Sequence, residues 1–384
     1  MEITKKMILA VLVGILAVLF VGAMFMPNPT GLFTIQPEQT ITIGAILPLS
    51  GELANMGIGE KNSALLAIEQ LNATGGINKK KVEIIFEDSP CNAEKAITAA
   101  KKLIEVDKVN ALLGPFCSSE VLAVAELANK SKTPLISGTA TSPAVTNAGD
   151  YIFRITPSDD LKAILFARYI FSEQNVKELS IIYSNDEVST SLIDYFEREY
   201  TQLGGKIIQK EAFTKGSADM RTQLSKIKEN KTANVLMLSW PTEAGNILNQ
   251  AKELGINVQF YEGFEGVMTD PQVKQIANEN TIGVIYIQPH EAKNKAAKEF
   301  QEKYKNTYGE NAPYYSAEGF DAINLYSKVF WNTSNSEEAK NNIYKIQDYQ
   351  GASGTITINQ DGDCLKPFEI GQTTQTGNMT IKTL

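Results

Sequence analysis

A single histidine, His290, serves the whole 384-residue chain, and only three cysteines, Cys91, Cys117 and Cys364, accompany it. That scarcity removes most metal chemistry, because no Cys/His spacing suited to a structural or catalytic metal occurs. It also narrows nucleophilic catalysis. A Cys117 or Ser118 nucleophile needs a base, and the sole imidazole follows Gln288-Pro289, far along the chain. No Walker loop and no G-x-S-x-G elbow is present, and Gly57-Ile58-Gly59 lacks the third glycine of a dinucleotide fingerprint. Positive charge is not in excess either: the formal net charge is −8. Neutralising a phosphate backbone takes clustered Lys and Arg, so nucleic acid is excluded as a partner. Lys79-Lys80-Lys81 reads as a solvated turn between elements. Short-period repeats and low-complexity tracts are missing as well. No catalytic residue, metal or cofactor is expected.

What is present describes a globular protein, with 43% apolar and 21% charged residues. The length suffices for two or more domains with real cores. The N-terminus stands apart. Lys5 and Lys6 precede an uninterrupted apolar run of twenty residues, Met7 to Met26. As a helix that run spans about 30 Å, the thickness of a bilayer core. Its end, Gly22-Ala23-Met24-Phe25-Met26-Pro27, carries neither an A-x-A cleavage site nor a lipobox cysteine. An uncleaved membrane anchor is therefore favoured over a cleaved signal. Residues 1–39 comprise that segment and a short tether, and the two lysines place everything after Pro27 outside the cytoplasmic membrane. Outside the cell a pair of cysteines tends to oxidise.

After the tether, strand and helix signals alternate. Ile41 to Leu47 reads as a buried strand, and Ala64, Leu65, Ile68 and Leu71 follow helical spacing up to Gly75-Gly76. Strands are expected at Val82 to Asp88, Val109 to Leu113 and Pro134 to Ser137, with a helix capped by Asn92. The rhythm resumes after Asp159-Asp160. Strands are expected near 179–183, 206–213, 235–238 and 258–261, and helices near 189–203, 220–229 and 243–254. Helices near 292–308, 315–331 and 336–348 and a β-rich piece at 354–370 complete the chain. Helical segments between strands mean βαβ units and parallel sheets. The fold class is α/β, with two doubly wound, Rossmann-like lobes.

One stretch, LLGPFCSSEV, breaks a strand at Gly114-Pro115 and leads through Cys117 into two serines that open a helix. A cysteine nucleophile, half of a disulfide, or hydroxyls offered with a helix N-terminus to an anion would each fit. Ser137-Gly138-Thr139-Ala140-Thr141 occupies a similar strand end. Open parallel sheets bind ligands beyond the carboxyl ends of their strands, and a helix N-terminus suits a carboxylate.

Taken in order, "GAILPLSGELANMG", "AIEQLNATGGI", "EDSPCNAEKAITAAKKLI", "LLGPFCSSEV", "PLISGTATSPAVT", "AKELGINVQFYEGFEG" and "GTITINQDGDCLKPFEI" resemble the branched-chain amino-acid-binding proteins of ABC importers. These have the type I periplasmic binding protein fold. The resemblance runs from Thr40 to Ile370. It implies two lobes closing like a clamshell around three crossings, near Ser158, Ile287 and Gly351. Lobe 1 would comprise 40–157 and 288–350, and lobe 2 would comprise 158–287 and 351–384. It implies an aliphatic amino acid as ligand and permease subunits of an ABC transporter as partners. Ser118 and Ser119 would meet the ligand carboxylate, joined by the Thr141 hydroxyl. The Thr139 carbonyl and Glu265 would take the ammonium. The family also carries a cysteine pair at matching positions, which implies a Cys91–Cys117 disulfide and leaves Cys364 free.

The chain departs from the family pattern at three places. Val188 and Ser189 stand where a tyrosine and glycine are usual, and Met56 stands where an aromatic often touches the ligand side chain. Trp240 falls at the place of a pocket tyrosine. The zwitterion cradle is untouched, while the side-chain pocket is altered. Small amides or urea are alternative ligands, and a ligand-sensing ectodomain on the same fold is the alternative role.

Overall fold

The apolar run ITIGAIL becomes β1 (Ile41–Leu47), buried along almost its whole length. A strand covered on both faces has no reason to alternate, and this one does not. The computed structural model describes residues 40–51, 53–290 and 292–384. The anchor and tether expected at 1–39 lie outside them, and no helix among the described residues is long and apolar enough to cross a membrane.

Around β1 are β2 (Val82–Asp88), β3 (Ala111–Leu113), β4 (Leu135–Ser137) and β5 (Ile152–Arg154). They form a five-stranded sheet of order β2-β1-β3-β4-β5, parallel at every pairing. The connecting helices are α1 (Ala54–Ala73), α2 (Ala93–Lys101) and α3 (Ser118–Ser131). Helix α4 (Asp159–Arg168) then leads into a second sheet. Its parallel strands are β6 (Glu178–Ser184), β7 (Lys206–Phe213), β8 (Asn234–Leu238), β9 (Gln259–Glu262) and β10 (Ile285–Pro289). Between them run α5 (Glu187–Gln202), α6 (Arg221–Glu229), α7 (Pro241–Glu253) and α8 (Pro271–Ala277).

The chain then returns to the first lobe through α9 (Lys295–Tyr308), α10 (Ser316–Val329) and α11 (Ser336–Ile343). A short hairpin of β11 (Tyr349–Gly351) and β12 (Gly354–Ile356) follows. Strands β13 (Phe368–Thr374) and β14 (Gly377–Thr383) add antiparallel to β10, making the second sheet seven-stranded, β14-β13-β10-β9-β8-β6-β7. Both sheets share one winding: the second strand lies on one side of the first, and the third to fifth on the other. The switch points therefore fall between β1 and β3 and between β6 and β8, where ligand crevices form.

Strands β5, β10 and β14 and helices α4 and α8 were not legible as elements. Strand β5 has three residues, too few for a period. Strand β14 is an exposed edge with no buried face, so its sequence shows no alternation. The third crossing also comes later than expected. Ile356, Ile358 and Cys364 are buried in the first core, with Ile43 and Ile136. Phe368 and Ile370 join the second core, with Ile181 and Val235. The chain thus changes core after Cys364 and not near Gly351.

Helix α10 packs on α1 so closely that a Cβ at Gly319 would stand 2.8 Å from the Glu60 carbonyl oxygen. Only glycine permits that approach. Cys91 and Cys117 form a disulfide with a Cα separation of 5.4 Å, joining the loops after β2 and β3. In the chain-entropy model, closing a loop of that length stabilises the fold by about 3 kcal/mol. Cys364 is free and buried, and burial pushes its thiol up to about 11.

Candidate functional site

The carboxyl ends of β3 and β4 carry the first half of the site. Ser118 and Ser119 are the first residues of α3, where backbone N–H groups have no intrahelical acceptor. The turn before them is tied down by Glu120. Its carboxylate accepts from the backbone N–H of Cys117 at 3.2 Å, from that of Asn92 at 2.9 Å, and from the Ser89 hydroxyl. The disulfide and this carboxylate together hold the serine turn against the loop after β2.

The neighbouring loop is held just as firmly. Ser142 N–H donates to the Ser118 hydroxyl at 3.1 Å. The Ser137 hydroxyl donates to the Pro115 carbonyl at 2.8 Å and accepts from Ala140 N–H at 3.1 Å. The Thr139 hydroxyl donates to the Phe116 carbonyl. Underneath lies Arg154, 0% exposed. Its guanidinium donates to the carbonyls of Ser142 at 2.9 Å and Ala140 at 3.3 Å, and to the Thr146 hydroxyl at 2.5 Å. Its Nε faces Asp363 Oδ1 at 2.6 Å. Nothing in the local sequence marks Arg154, because its partners come from loops brought together only by the sheet.

A chain of ionic contacts links this half to the second. The Thr141 hydroxyl donates to Asp159 Oδ2 at 2.7 Å. Lys162 Nζ lies 2.6 Å from Asp159 Oδ1 and 3.4 Å from Glu265 Oε2. The Tyr315 hydroxyl, at the start of α10, donates to the other Glu265 oxygen. The Tyr315 ring meets Phe116 edge-on at 5.9 Å, which brings the chain of contacts back to the serine turn. Burial works against the Lys162 ammonium, but Asp159 and then Glu265 outweigh it and raise its pKa above the ordinary lysine value. Burial, and next the Glu265 charge, raise the Tyr315 hydroxyl well above the usual range.

Ser118, Thr139, Thr141 and Glu265 are thus parts of one constellation. The Thr141 hydroxyl, expected to meet a ligand carboxylate, is bonded to Asp159 here, and Glu265 already has a protein cation. Lys162 and Tyr315 escaped the sequence reading. The acidic doublet Asp159-Asp160 before an i,i+3 lysine was the available signal.

Trp240 caps α7, and its Nε1 donates to Asp186 Oδ2 at 3.0 Å. Its ring meets Phe264, the residue before Glu265, edge-on at 5.2 Å, while Lys215 Nζ stands 4.3 Å above its face. Met56 packs in the cluster that contains Phe116 and Tyr315. Val188 and Ser189 lie in the first turn of α5. His290 is engaged elsewhere, with Nδ1 3.0 Å from Glu369 Oε2. Among the described residues one cluster has metal-ligand proximity, Cys91, Cys117 and Glu120. Both of its sulfurs are spent in the disulfide.

Beneath the Thr139 loop lies an unusual pair. A Cβ on Gly138 would stand 2.8 Å from the Glu318 Cβ and 3.1 Å from Glu60 Oε1. Glu60 is fully buried with neither carboxylate oxygen hydrogen-bonded. Burial first, then the neighbouring Glu318, push its carboxyl up to about 8 from an ordinary 4.5. The stabilisation from the neutral buried form is complete below 4.5 and is lost as pH rises through 8. Glu262 is also raised to about 8, by burial first, and adds to the same slope. Stability is therefore expected to fall between these pH values, and Glu60→Gln is expected to flatten part of that fall. Urea unfolding at about pH 5, 7 and 8.5 checks this, and an unchanged slope in Glu60→Gln would contradict it.

Comparison with known proteins agrees with this architecture. An amino acid binding protein of Pseudomonas aeruginosa is 29% identical over 231 residues, 60% of this chain and 62% of that relative. The leucine-, isoleucine-, valine-, threonine- and alanine-binding protein of the same organism is 24% identical over 338 residues, 86% of this chain and 88% of its own. Among solved structures, the branched-chain amino acid transporter substrate binding protein LivJ from Streptococcus pneumoniae, in complex with isoleucine, superposes with a TM-score of 0.79. It is 27% identical, and the match covers 90% of this chain and 99% of that one. The model of the periplasmic binding protein family matches residues 40–378, and with two doubly wound sheets that share one winding the chain belongs to that family and has the type I fold.

Proposed function

We propose that the protein is an extracytoplasmic solute-binding protein that captures a small α-amino acid, aliphatic in side chain, and delivers it to an ABC transporter permease. One observation carries the proposal: a helix start flanked by hydroxyls on the first lobe is linked, through buried ion pairs, to Glu265 on the second. A zwitterion needs opposite charges met a few ångströms apart in a desolvated cleft; the first lobe holds the carboxylate, and the second helps hold the ammonium. Closure is then favoured by the ligand, because both poles are satisfied together only in the closed state.

In this proposal Ser118, Ser119 and the Thr141 hydroxyl serve the carboxylate, and the Thr139 carbonyl and Glu265 serve the ammonium. Trp240 and Met56 border the side chain. Lobe 1 comprises 40–157 with the returning segment from 288, and lobe 2 comprises 158–287 with the C-terminal strands. Residues 1–39 anchor the protein to the outer face of the membrane. Enzymatic turnover at the serine turn is disfavoured, since Cys117 has no free thiol and His290 faces Glu369.

Titration calorimetry of the fragment from Thr40 against the common amino acids and small amides tests the proposal. A saturable response to an aliphatic amino acid is expected. Silence from every amino acid beside a clear response to an amide or urea would overturn it.

A further inference from the structure

Lys162 rises from the first turn of α4, three residues after Asp159, and is 3% exposed. Its ammonium stands between Asp159 and Glu265, and Glu265 is one of the two groups expected to take a ligand's ammonium. The distances rank its partners. It lies 2.6 Å from Asp159 Oδ1, and it donates to Glu265 Oε2 over the longer distance of 3.4 Å. A carboxylate accepts at about four lone-pair positions, so Glu265, with Tyr315 on one oxygen and Lys162 loosely on the other, retains capacity for a further donor.

The charge count is equally specific. Two buried carboxylates face one ammonium, which leaves one negative charge over. The adjoining carboxylates do not change that sum at the site. Glu318 has its own cation, Lys366, at 3.5 Å. Asp321 is taken up by the backbone N–H groups of Ala352 at 2.8 Å and Ser353 at 2.7 Å. Burial first, then Glu318, bias the Glu60 carboxyl toward its neutral form. A buried charge without a partner is costly, so the surplus suits one added cation and no more.

On the footing that the ligand is an amino acid, we propose that Lys162 is a specificity-determining residue. It is a tethered cation filling one of the two cation places made by Asp159 and Glu265, so the cleft admits ligands with a single ammonium and rejects those with a second ammonium nearby. Removing the charge while keeping the aliphatic stem should open the second place.

The test pairs two amino acids of nearly equal shape, norvaline and 2,4-diaminobutyrate, which differ in whether the side chain ends in a methyl or an ammonium. The parent is expected to bind norvaline and to bind the diamino acid at least about tenfold more weakly. Lys162→Met is expected to move that ratio toward the diamino acid by about tenfold or more. Asp159→Asn, which keeps Lys162 and erases the surplus charge, is expected to weaken norvaline without helping the diamino acid. It decides the matter should Lys162→Met fail to fold. An unchanged ratio in Lys162→Met, or parent-like norvaline binding by Asp159→Asn, overturns the proposal. A parent that binds neither norvaline nor any other amino acid overturns instead the reading on which it rests.

Discussion

Glu265→Gln is expected to weaken amino-acid binding by about 2–4 kcal/mol, because it leaves a desolvated ammonium without its counter-charge. The substitution keeps shape and keeps an acceptor for the Tyr315 hydroxyl. What it removes is the charge that faces Lys162 and, in the proposed complex, the ligand. Fold and closure geometry are thereby left nearly intact, and the loss falls on affinity. Calorimetry of parent and variant with one aliphatic amino acid reads it directly. Binding within a few-fold of the parent would move the ammonium site elsewhere in the cleft.

The second large effect belongs to stability. Arg154→Met is expected to cost about 3–5 kcal/mol of unfolding free energy, the range for breaking a buried ion pair by removing one partner. Asp363 would lose its cation, and the carbonyls of Ala140 and Ser142 would lose the donors that shape the loop after β4. Methionine preserves much of the stem volume, so the loss reports on the polar contacts more than on a cavity. Affinity should fall as well, since Ser142 N–H is what engages the Ser118 hydroxyl. Denaturant unfolding of the variant checks the first effect. A cost below about 1 kcal/mol would show that the guanidinium network contributes little.

Much of the first lobe was legible because its signals are local. The run from Ile41 to Leu47, the Asn92 cap whose side chain accepts from Lys95 N–H, and the glycine pair after α1 each declare themselves over a few residues. The disulfide partner came from the resemblance, and the structure places the two loops side by side at the ends of strands that flank β1. Elements whose reason is elsewhere escaped. Strand β10 is a strand because β9 and β13 pair with it, and α8 is only seven residues long.

By itself the sequence determined the alternation of strands and helices in two blocks and the hydroxyl-bearing turns, since these rest on periodicity, capping and composition within short windows. The tertiary structure alone decided which charges meet. Asp159, Lys162, Glu265 and Tyr315 lie in three separate stretches of the chain, Arg154 and Asp363 lie in two, and the energy of a buried charge depends on what surrounds it. Residue types tell that a carboxylate exists, whereas only packing tells that a lysine already stands before it.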